Sequence, residues 1–286
     1  MLTLPSTSLS TSGLFSHVDE INNAWTIPPD KSLFQSLTID DVPSNIHLWS
    51  DKTYQDVKNF KKLRIDDNSG LSLNDIVPVI SRCQCLRELS LSYSLLSDNL
   101  LSAISRDDHV CLETMKIDAY SDSMPFERIS DEAWYALQSH SPDLNLILTS
   151  HLTEEDDHDA LLTTSIPITH LYLGGFPSAK MVQRISENCP RLVELIVSSY
   201  SPDMIDPVLI SVAHKCPNLS AVGLGDCELT CSGLVEFVSI CKERLRALYI
   251  WETSLVEDAK FDVTQTISKV SSLLGRTWAP EYVPPW

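Results

Sequence analysis

Eight cysteines and eight histidines are the residues of this sequence best suited to metal binding, thiol chemistry or proton transfer. Two spacings hint at a ligand pair, Cys227-x-x-x-Cys231 and His109-Val-Cys111. A structural zinc site takes four ligands, usually as two close pairs, and neither spacing has a second pair nearby. No metal or other cofactor is therefore expected. Cys83, Cys189, Cys216 and Cys241 instead stand three or four residues ahead of Leu86, Leu192, Leu219 and Leu245. Thiols repeated in step with leucines read as small apolar core residues, and reduced thiols point to an intracellular compartment. Catalysis finds no better support. The histidines are scattered, there is no glycine-rich phosphate loop, and no nucleophile–base pair can be read from spacing. The remaining candidates are aromatic. Trp278, Tyr282 and Trp286 alternate with Pro280, Pro284 and Pro285 in the segment 276–286. Prolines keep such a segment stiff and extended, so its terminal tryptophan is either folded back or offered to a partner.

The elements that must carry these residues follow from a repeat. Leu219, Val222 and Leu224 have the spacing Leu-x-x-Leu-x-Leu, and Cys227 follows three residues later. That is the signature of a cysteine-containing leucine-rich repeat. Looser or equivalent copies end at Ile39, Ile65, Leu91, Ile117, Leu148, Leu173, Val197, Leu224 and Ile250, with gaps of 26, 26, 26, 31, 25, 24, 27 and 26 residues. Between them, apolar residues at helical spacing predict helices: Leu73, Ile76, Val77 and Ile80; Leu100, Leu101 and Ile104 after the N-cap Ser97; Leu234, Phe237, Val238 and Ile240. One strand plus one helix cannot bury its apolar side alone, whereas stacked units share a core. The expected fold is α/β, a curved leucine-rich-repeat solenoid with parallel strands concave and helices convex. Its parts are an irregular segment 1–30, repeats over 31–262, and a capping helix ending at Gly275 with a Trp/Pro tail over 263–286.

The 43% apolar content suffices for a large core, and the formal charge of −18 argues against nucleic acid and against an anionic membrane surface as partners. Residues 1–18 lack the pattern of a signal peptide, and no apolar run is long enough for a membrane span. Cytoplasm and nucleus are the expected compartments. The triplet Asn218-Leu-Ser220 opens a repeat strand and reads as coincidence. Two places lengthen the period: Asp118–Arg128, ahead of a helix Ser130–His140 bearing Trp134 and Tyr135, and the acidic run Leu152–Asp159, expected as a loop. Residues between the strand leucines form the exposed sheet surface. They are polar early (Lys62, Arg64, Glu88, Ser90, Ser92, Lys116). Later they are aromatic or small (Tyr172, Gly174, Ile196, Ala221, Gly223, Gly225, Tyr249, Trp251). A surface that turns aromatic toward one end marks where a protein partner docks.

Several stretches are more specific than the repeat. They are Cys85-Leu-Arg-Glu-Leu-Ser-Leu-Ser-Tyr-Ser-Leu-Leu-Ser-Asp98, Thr169-His-Leu-Tyr-Leu-Gly174, Cys189-Pro-Arg-Leu-Val-Glu-Leu195, Asn218-Leu-Ser-Ala-Val-Gly-Leu-Gly225, Val235-Glu-Phe-Val238 and Leu274-Gly-Arg-x-Trp-x-Pro-x-x-x-Pro-x-Trp286. In content and order they resemble the F-box/leucine-rich-repeat proteins that recruit cryptochromes for ubiquitination in the circadian clock. The resemblance implies a non-catalytic substrate-recognition subunit of an SCF-type ubiquitin ligase. It implies a cryptochrome-like flavoprotein as partner, with the tail entering the flavin pocket. By position Trp286 would insert, supported by Trp278, Pro280, Tyr282 and Pro284, while Tyr172, Tyr249 and Trp251 line the docking face. No F-box is legible near the N-terminus, where Leu4-Pro5 is a faint echo of its opening. Ligase adaptor and cullin are therefore expected as partners only where an F-box lies upstream. A free-standing repeat protein that binds the same partner without ligase recruitment stays open. An enzymatic role, such as GTPase activation, has no supporting constellation.

Overall fold

A computed structural model describes residues 7–10, 34–39, 57–65, 72–120, 128–152, 155–174, 179–198 and 204–280. The chain forms two compact units, Met1–Asp118 with Glu127–Leu146 and Ala119–Phe126 with Ile147–Trp286. Both are built from the strand–helix repeat that the spacing predicts, and the fold is an α/β leucine-rich-repeat solenoid.

In the first unit the strands are β1 (Thr7–Ser10), β2 (Phe34–Ile39), β3 (Lys62–Ile65), β4 (Glu88–Ser92) and β5 (Thr114–Tyr120, its last two residues outside this unit). The helices are α1 (Leu73–Ile80), α2 (Asp98–Ile104) and α3 (Asp131–His140). Each strand pairs in parallel with the next, and the register sets equivalent residues side by side: Leu37, Leu63, Leu89 and Met115 on one line, Leu91 and Ile117 on another. Alternate residues point to opposite sides of a strand, so every second residue enters the core under the helices. Leu63, Leu89, Met115, Leu91 and Ile117 are all buried. Helix starts use short polar caps. Ser97 Oγ accepts from the Leu100 amide, and Ser130 Oγ from the Ala133 amide, both at 3.2 Å. Trp134 on α3 is buried and Tyr135 exposed.

The second unit comprises most of β6 (Asn145–His151), then α4 (Glu155–Leu161), β7 (Ile168–Leu173), α5 (Ala179–Asn188), β8 (Glu194–Ser198), α6 (Asp206–Lys215) and β9 (Ala221–Gly225). After these come β10 (Glu228–Thr230), α7 (Cys231–Cys241), β11 (Ala247–Trp251), β12 (Ser254–Val256) and α8 (Val263–Leu274). Strands β7, β8, β9 and β11 are consecutive parallel neighbours. Leu171, Leu195, Val222 and Leu248 form one buried line, and Leu173, Val197, Leu224 and Ile250 a second. Each such side chain contributes about 1.5–3 kcal/mol on burial. The capping helix α8 has the predicted bounds. Asp262 Oδ1 accepts from the Gln265 amide at 2.7 Å, and Gly275 ends the helix at φ +65°.

Two expectations need correction, and one feature had none. Thr7–Ser10, within the segment expected to be irregular, is a strand beside β2, because the first repeat strand offers an unpaired edge to any extended neighbour. The acidic run is not a loop: from Glu155 it is helix α4. His158, Leu161 and Leu162, at spacings of three and four, are its buried face, and Asp159 pairs with Arg184 of α5. Finally, β10 and β12 form a small parallel sheet of their own just after the main strands, which no apolar triplet marked.

Candidate protein-binding surface

The open face of the second unit is set by the residues that alternate with the buried lines. Tyr172, Ile196, Gly223 and Tyr249 are directly opposite one another on β7, β8, β9 and β11. At about 4.8 Å per strand this row is about 14 Å long. Trp251 lies over the glycines of the neighbouring strand. A Cβ on Gly225 would come within 2.2 Å of its Cε2, and one on Gly223 within 3.0 Å of its Cζ3. The indole thus covers both glycines, which are buried, while Trp251 itself is half-buried. Those two glycines are what allow a tryptophan to lie flat on a sheet. Tyr249 keeps 51% of its surface exposed. The Tyr172 hydroxyl donates to Glu194 Oε1 at 3.2 Å, and burial followed by that carboxylate raises the phenol above its ordinary pKa. Tyr172 therefore stays a neutral donor. Tyr172 and Tyr249 stand at the two ends of this row, and Trp251 two residues beyond Tyr249 on β11.

Behind this face, carboxylates hold the turns. Asp206 accepts from the Thr230 amide through Oδ1 at 3.1 Å and from the Thr230 hydroxyl, and Thr230 Oγ1 in turn accepts from the Gly233 amide at 2.9 Å. Asp258 Oδ2 accepts from the amide and hydroxyl of Ser232, and its Oδ1 from the amides of Lys260 and Phe261. These bonds hold the Asp258 carboxyl well below the usual carboxylate range. Ser232 is in the first turn of α7, where a negative charge is favoured. Asp226 and Glu252, each just past a strand, have φ of +53° and +48°, so successive repeats turn through the same left-handed backbone.

Of the tail residues, Trp278 and Pro280 are described, and Tyr282, Pro284 and Trp286 lie outside the described residues. Trp278 is buried at 6% exposure and its Nε1 donates to the Leu248 carbonyl of β11 at 2.9 Å. Its amide donates to Ser271 Oγ at 3.0 Å, and that hydroxyl donates to the Trp278 carbonyl at 3.1 Å. Trp278 is thus placed as part of the fold rather than on an exposed surface, because the edge of β11 offers its indole both an acceptor and apolar cover. Pro280 is half-buried.

A pair that the sequence reading missed belongs to the same unit. The rings of Tyr120 and His151 stack at 5.0 Å and 4°, and His151 Nδ1 would be 3.1 Å from a Cβ on Gly174. Each stands three residues past the last apolar residue of its copy, Ile117 and Leu148, two positions beyond the place that Trp251 holds after Ile250, so the repeat gave no signal for the pair. The open face of the first unit is different. Lys62 pairs with Glu88 at 2.7 Å, Lys116 with Asp118 at 3.3 Å, and Arg87 with Glu113.

The repeat-phased Cys83, Cys189, Cys216 and Cys241 are core, whereas Cys85 is half-buried and Cys111 exposed. Burial pushes the Cys83 thiol up to about 12 and Cys216 up to about 11, and it raises Cys189 and Cys241 as well. Cys227 and Cys231 are both buried, and among the described residues no three His, Cys, Asp or Glu side chains converge as metal ligands. Among those residues no helix is long and apolar enough to cross a membrane.

Short parallel strands alternating with helices at a period near 26 residues define a leucine-rich-repeat protein. No protein-family model matches the sequence. Individual relatives do. The chain is 37% identical over 254 residues to F-box/LRR-repeat protein 21 of Bos taurus, covering 88% of this chain and 58% of that protein. To the proteins of the same name in Ovis aries and Mus musculus it is 38% identical over 259 residues, 90% of this chain and 59% of each of them. The chain is a homologue of the F-box/LRR-repeat proteins over nearly all its length, and it spans less than two thirds of the curated relatives it matches. Among solved structures it resembles a chain of the yeast Rad7 and Elc1 complex, with TM-score 0.47 and 16% identity over 92% of this chain and 64% of that one. A chain of the TLR13–ssRNA13 complex gives TM-score 0.44 and 12% identity over 79% and 37%. Neither likeness bears on what this chain binds.

Proposed function

We propose that this chain is the substrate-recognition part of an SCF-type E3 ubiquitin ligase that binds cryptochromes for ubiquitination and degradation in the circadian clock, working in cytoplasm and nucleus without catalysing a reaction itself. The observation that carries this reading is the homology to F-box/LRR-repeat protein 21 over 88–90% of the chain. It is supported by the row of Tyr172 and Ile196, both half-buried, and the exposed Tyr249 beside Trp251, since aromatic side chains are the residues protein interfaces favour. In this reading the repeats hold the cryptochrome and the tail supplies the anchor Trp286, whose burial would remove about 150–250 Å² from water. Prolines at 280, 284 and 285 limit the freedom that the tail gives up on docking.

The test is a titration of wild type and Trp286→Ala against a purified cryptochrome, with and without added flavin adenine dinucleotide. The expected loss is about 2–4 kcal/mol, roughly 30- to 1000-fold in affinity, and flavin competes with the wild type because tail and cofactor claim one pocket. Equal affinities, insensitive to flavin, would overturn tail insertion.

A further inference from the structure

We propose that the open face of the second unit takes an arginine from its protein partner, the guanidinium lying on the outward side of the Trp251 indole and reaching the carboxylates of Asp226 and Glu252. The proposal rests on the reading of this face as a surface for another protein, and not on which protein that is. Trp251 supplies the platform. One side of its indole is taken up by the floor of Gly223 and Gly225, so the half-buried ring keeps its other side for a partner. The face of a tryptophan carries negative potential and is the best aromatic surface for a cation. Tyr249, exposed and two residues away on β11, widens it.

The charges around this platform are of one sign. Gly225 and Trp251 are directly opposite in the register of β9 and β11, so Asp226 and Glu252, which follow them, leave neighbouring strands side by side. The Asp226 amide donates to the Trp251 carbonyl at 3.4 Å, and both acidic residues turn through the left-handed region. Like charges opposite one another across strands are destabilising, and among the described residues no lysine or arginine pairs with either. A neutral hydroxyl, Ser198 Oγ, donates to Asp226 Oδ2 at 2.8 Å. The nearest cation along β11 is Arg246, just before the other end of the strand and about 16 Å from Trp251. In the first unit such charges are met within the chain, Glu88 by Lys62 and Asp118 by Lys116. The second unit leaves the positive partner to come from outside.

Shape selects arginine over lysine. A guanidinium is planar, so it stacks on the indole while the N–H groups of its edge fork toward two carboxylates. An ammonium is a compact, strongly hydrated charge without that fork. An acidic segment would face two carboxylates of its own sign, and a purely apolar one would take water from both without replacing it. The cation–π contact contributes roughly 2- to 30-fold in affinity, and each exposed ion pair up to about 5-fold.

The experiment has two arms, both on the full chain. In the first, blocked peptides Gly-Gly-Xaa-Gly-Gly, with arginine, lysine or the uncharged arginine isostere citrulline at Xaa, are titrated while the Trp251 indole signal is followed in the ¹⁵N spectrum. That signal is assigned by its loss in Trp251→Leu. The arginine peptide should bind roughly 2- to 30-fold more tightly than the citrulline peptide, with lysine between them. Asp226→Asn and Glu252→Gln should each weaken it by up to about 5-fold. Asparagine tolerates the left-handed backbone at 226, so the seat of Trp251 is kept. Glu236→Gln, which removes the same charge from the exposed side of α7, should change nothing. An indole signal that the three peptides move alike, or not at all, overturns the proposal. So does an equal loss in Glu236→Gln, which would mean attraction to the net charge alone. In the second arm the same variants are titrated against purified cryptochrome at low and high salt. If cryptochrome is the partner, Asp226→Asn and Glu252→Gln weaken its binding and flatten the salt dependence. An arginine-selective peptide arm with cryptochrome binding unaltered would keep the arginine site and count against cryptochrome as its occupant. Should Trp251→Leu fail to fold, the two carboxylate variants carry the comparison.

Discussion

Strands β3 to β5 and strands β7 to β11 share one backbone plan and present open faces of opposite character. On the first, Lys62, Glu88, Lys116 and Asp118 satisfy one another in ion pairs, and such pairs keep the surface hydrated. On the second, lysine and arginine are absent from the open positions of the strands, and Tyr172, Ile196, Tyr249 and Trp251 take their places. The buried lines beneath are the same in both: leucine, isoleucine, methionine and valine in register. One or two residues per strand therefore decide whether a repeat face stays wet or is ready for a partner, at no expense to the core. Glycine makes the second case possible, since Gly223 and Gly225 leave the floor on which Trp251 lies.

The strongest way to break this comparison is to fill that floor. Gly225→Val places a branched side chain where the Trp251 ring already is, within 2.2 Å at its first atom. Overpacking of this kind costs about 1–3 kcal/mol, and the displaced indole should also become more exposed. Chemical denaturation together with tryptophan fluorescence measures both. Unchanged stability would mean that Trp251 does not need its glycine seat, and the two faces would then differ in composition only.

A smaller effect comes from the turn that follows Trp251. Asp258 ties that segment to the start of α7 through Ser232 and is held below the ordinary carboxylate range by those hydrogen bonds. A carboxylate with a lowered folded pKa adds stability that is fully present above its unfolded value, about 3.9, and is lost progressively as pH falls from there through its lower folded value. Asp258→Asn keeps the shape and removes the charge and one acceptor. Melting curves from pH 7 to pH 3 should show the variant less stable near neutrality, with the gap closing below about pH 4. A gap that stays constant down to pH 3 would show that the charge of Asp258 adds nothing.

How much of this was legible in the sequence depends on the range of the contact involved. The last two apolar residues of each copy fall within strands because alternation with a period of two leaves one choice of buried face. Ser97 and Gly275 were readable as caps because a cap is decided within four residues, while Ser130, read as the first helical residue, is the cap of α3 instead. The face was readable too, because the repeat puts Tyr172 and Tyr249 at one position and Trp251 two residues further along its strand. Helix α4 was missed because its acidic residues outweigh the inward spacing of His158, Leu161 and Leu162. Trp278 looked like a tail residue because its partners, Leu248 and Ser271, are 30 and 7 residues away. Nothing in a Trp-x-Pro motif tells which carbonyl the indole will find.

The least expected change sharpens the comparison from the first unit's side. Lys62 and Glu88 stand directly opposite on β3 and β4, with Nζ and Oε1 2.7 Å apart. Their side chains are 54% and 43% exposed, so water competes for both charges and ordering two long side chains offsets part of the attraction. Opposed charges across strands contribute about 0.2–1 kcal/mol. A double-mutant cycle of Lys62→Ala and Glu88→Ala, read by denaturation at low and high salt, isolates that coupling from the loss of either side chain alone. Its value should lie in that range and shrink as salt screens the pair. A coupling above about 2 kcal/mol, insensitive to salt, would mean that this pair is a structural tie rather than a hydrated surface contact. The polar face would then be as constrained as the glycine-seated aromatic one.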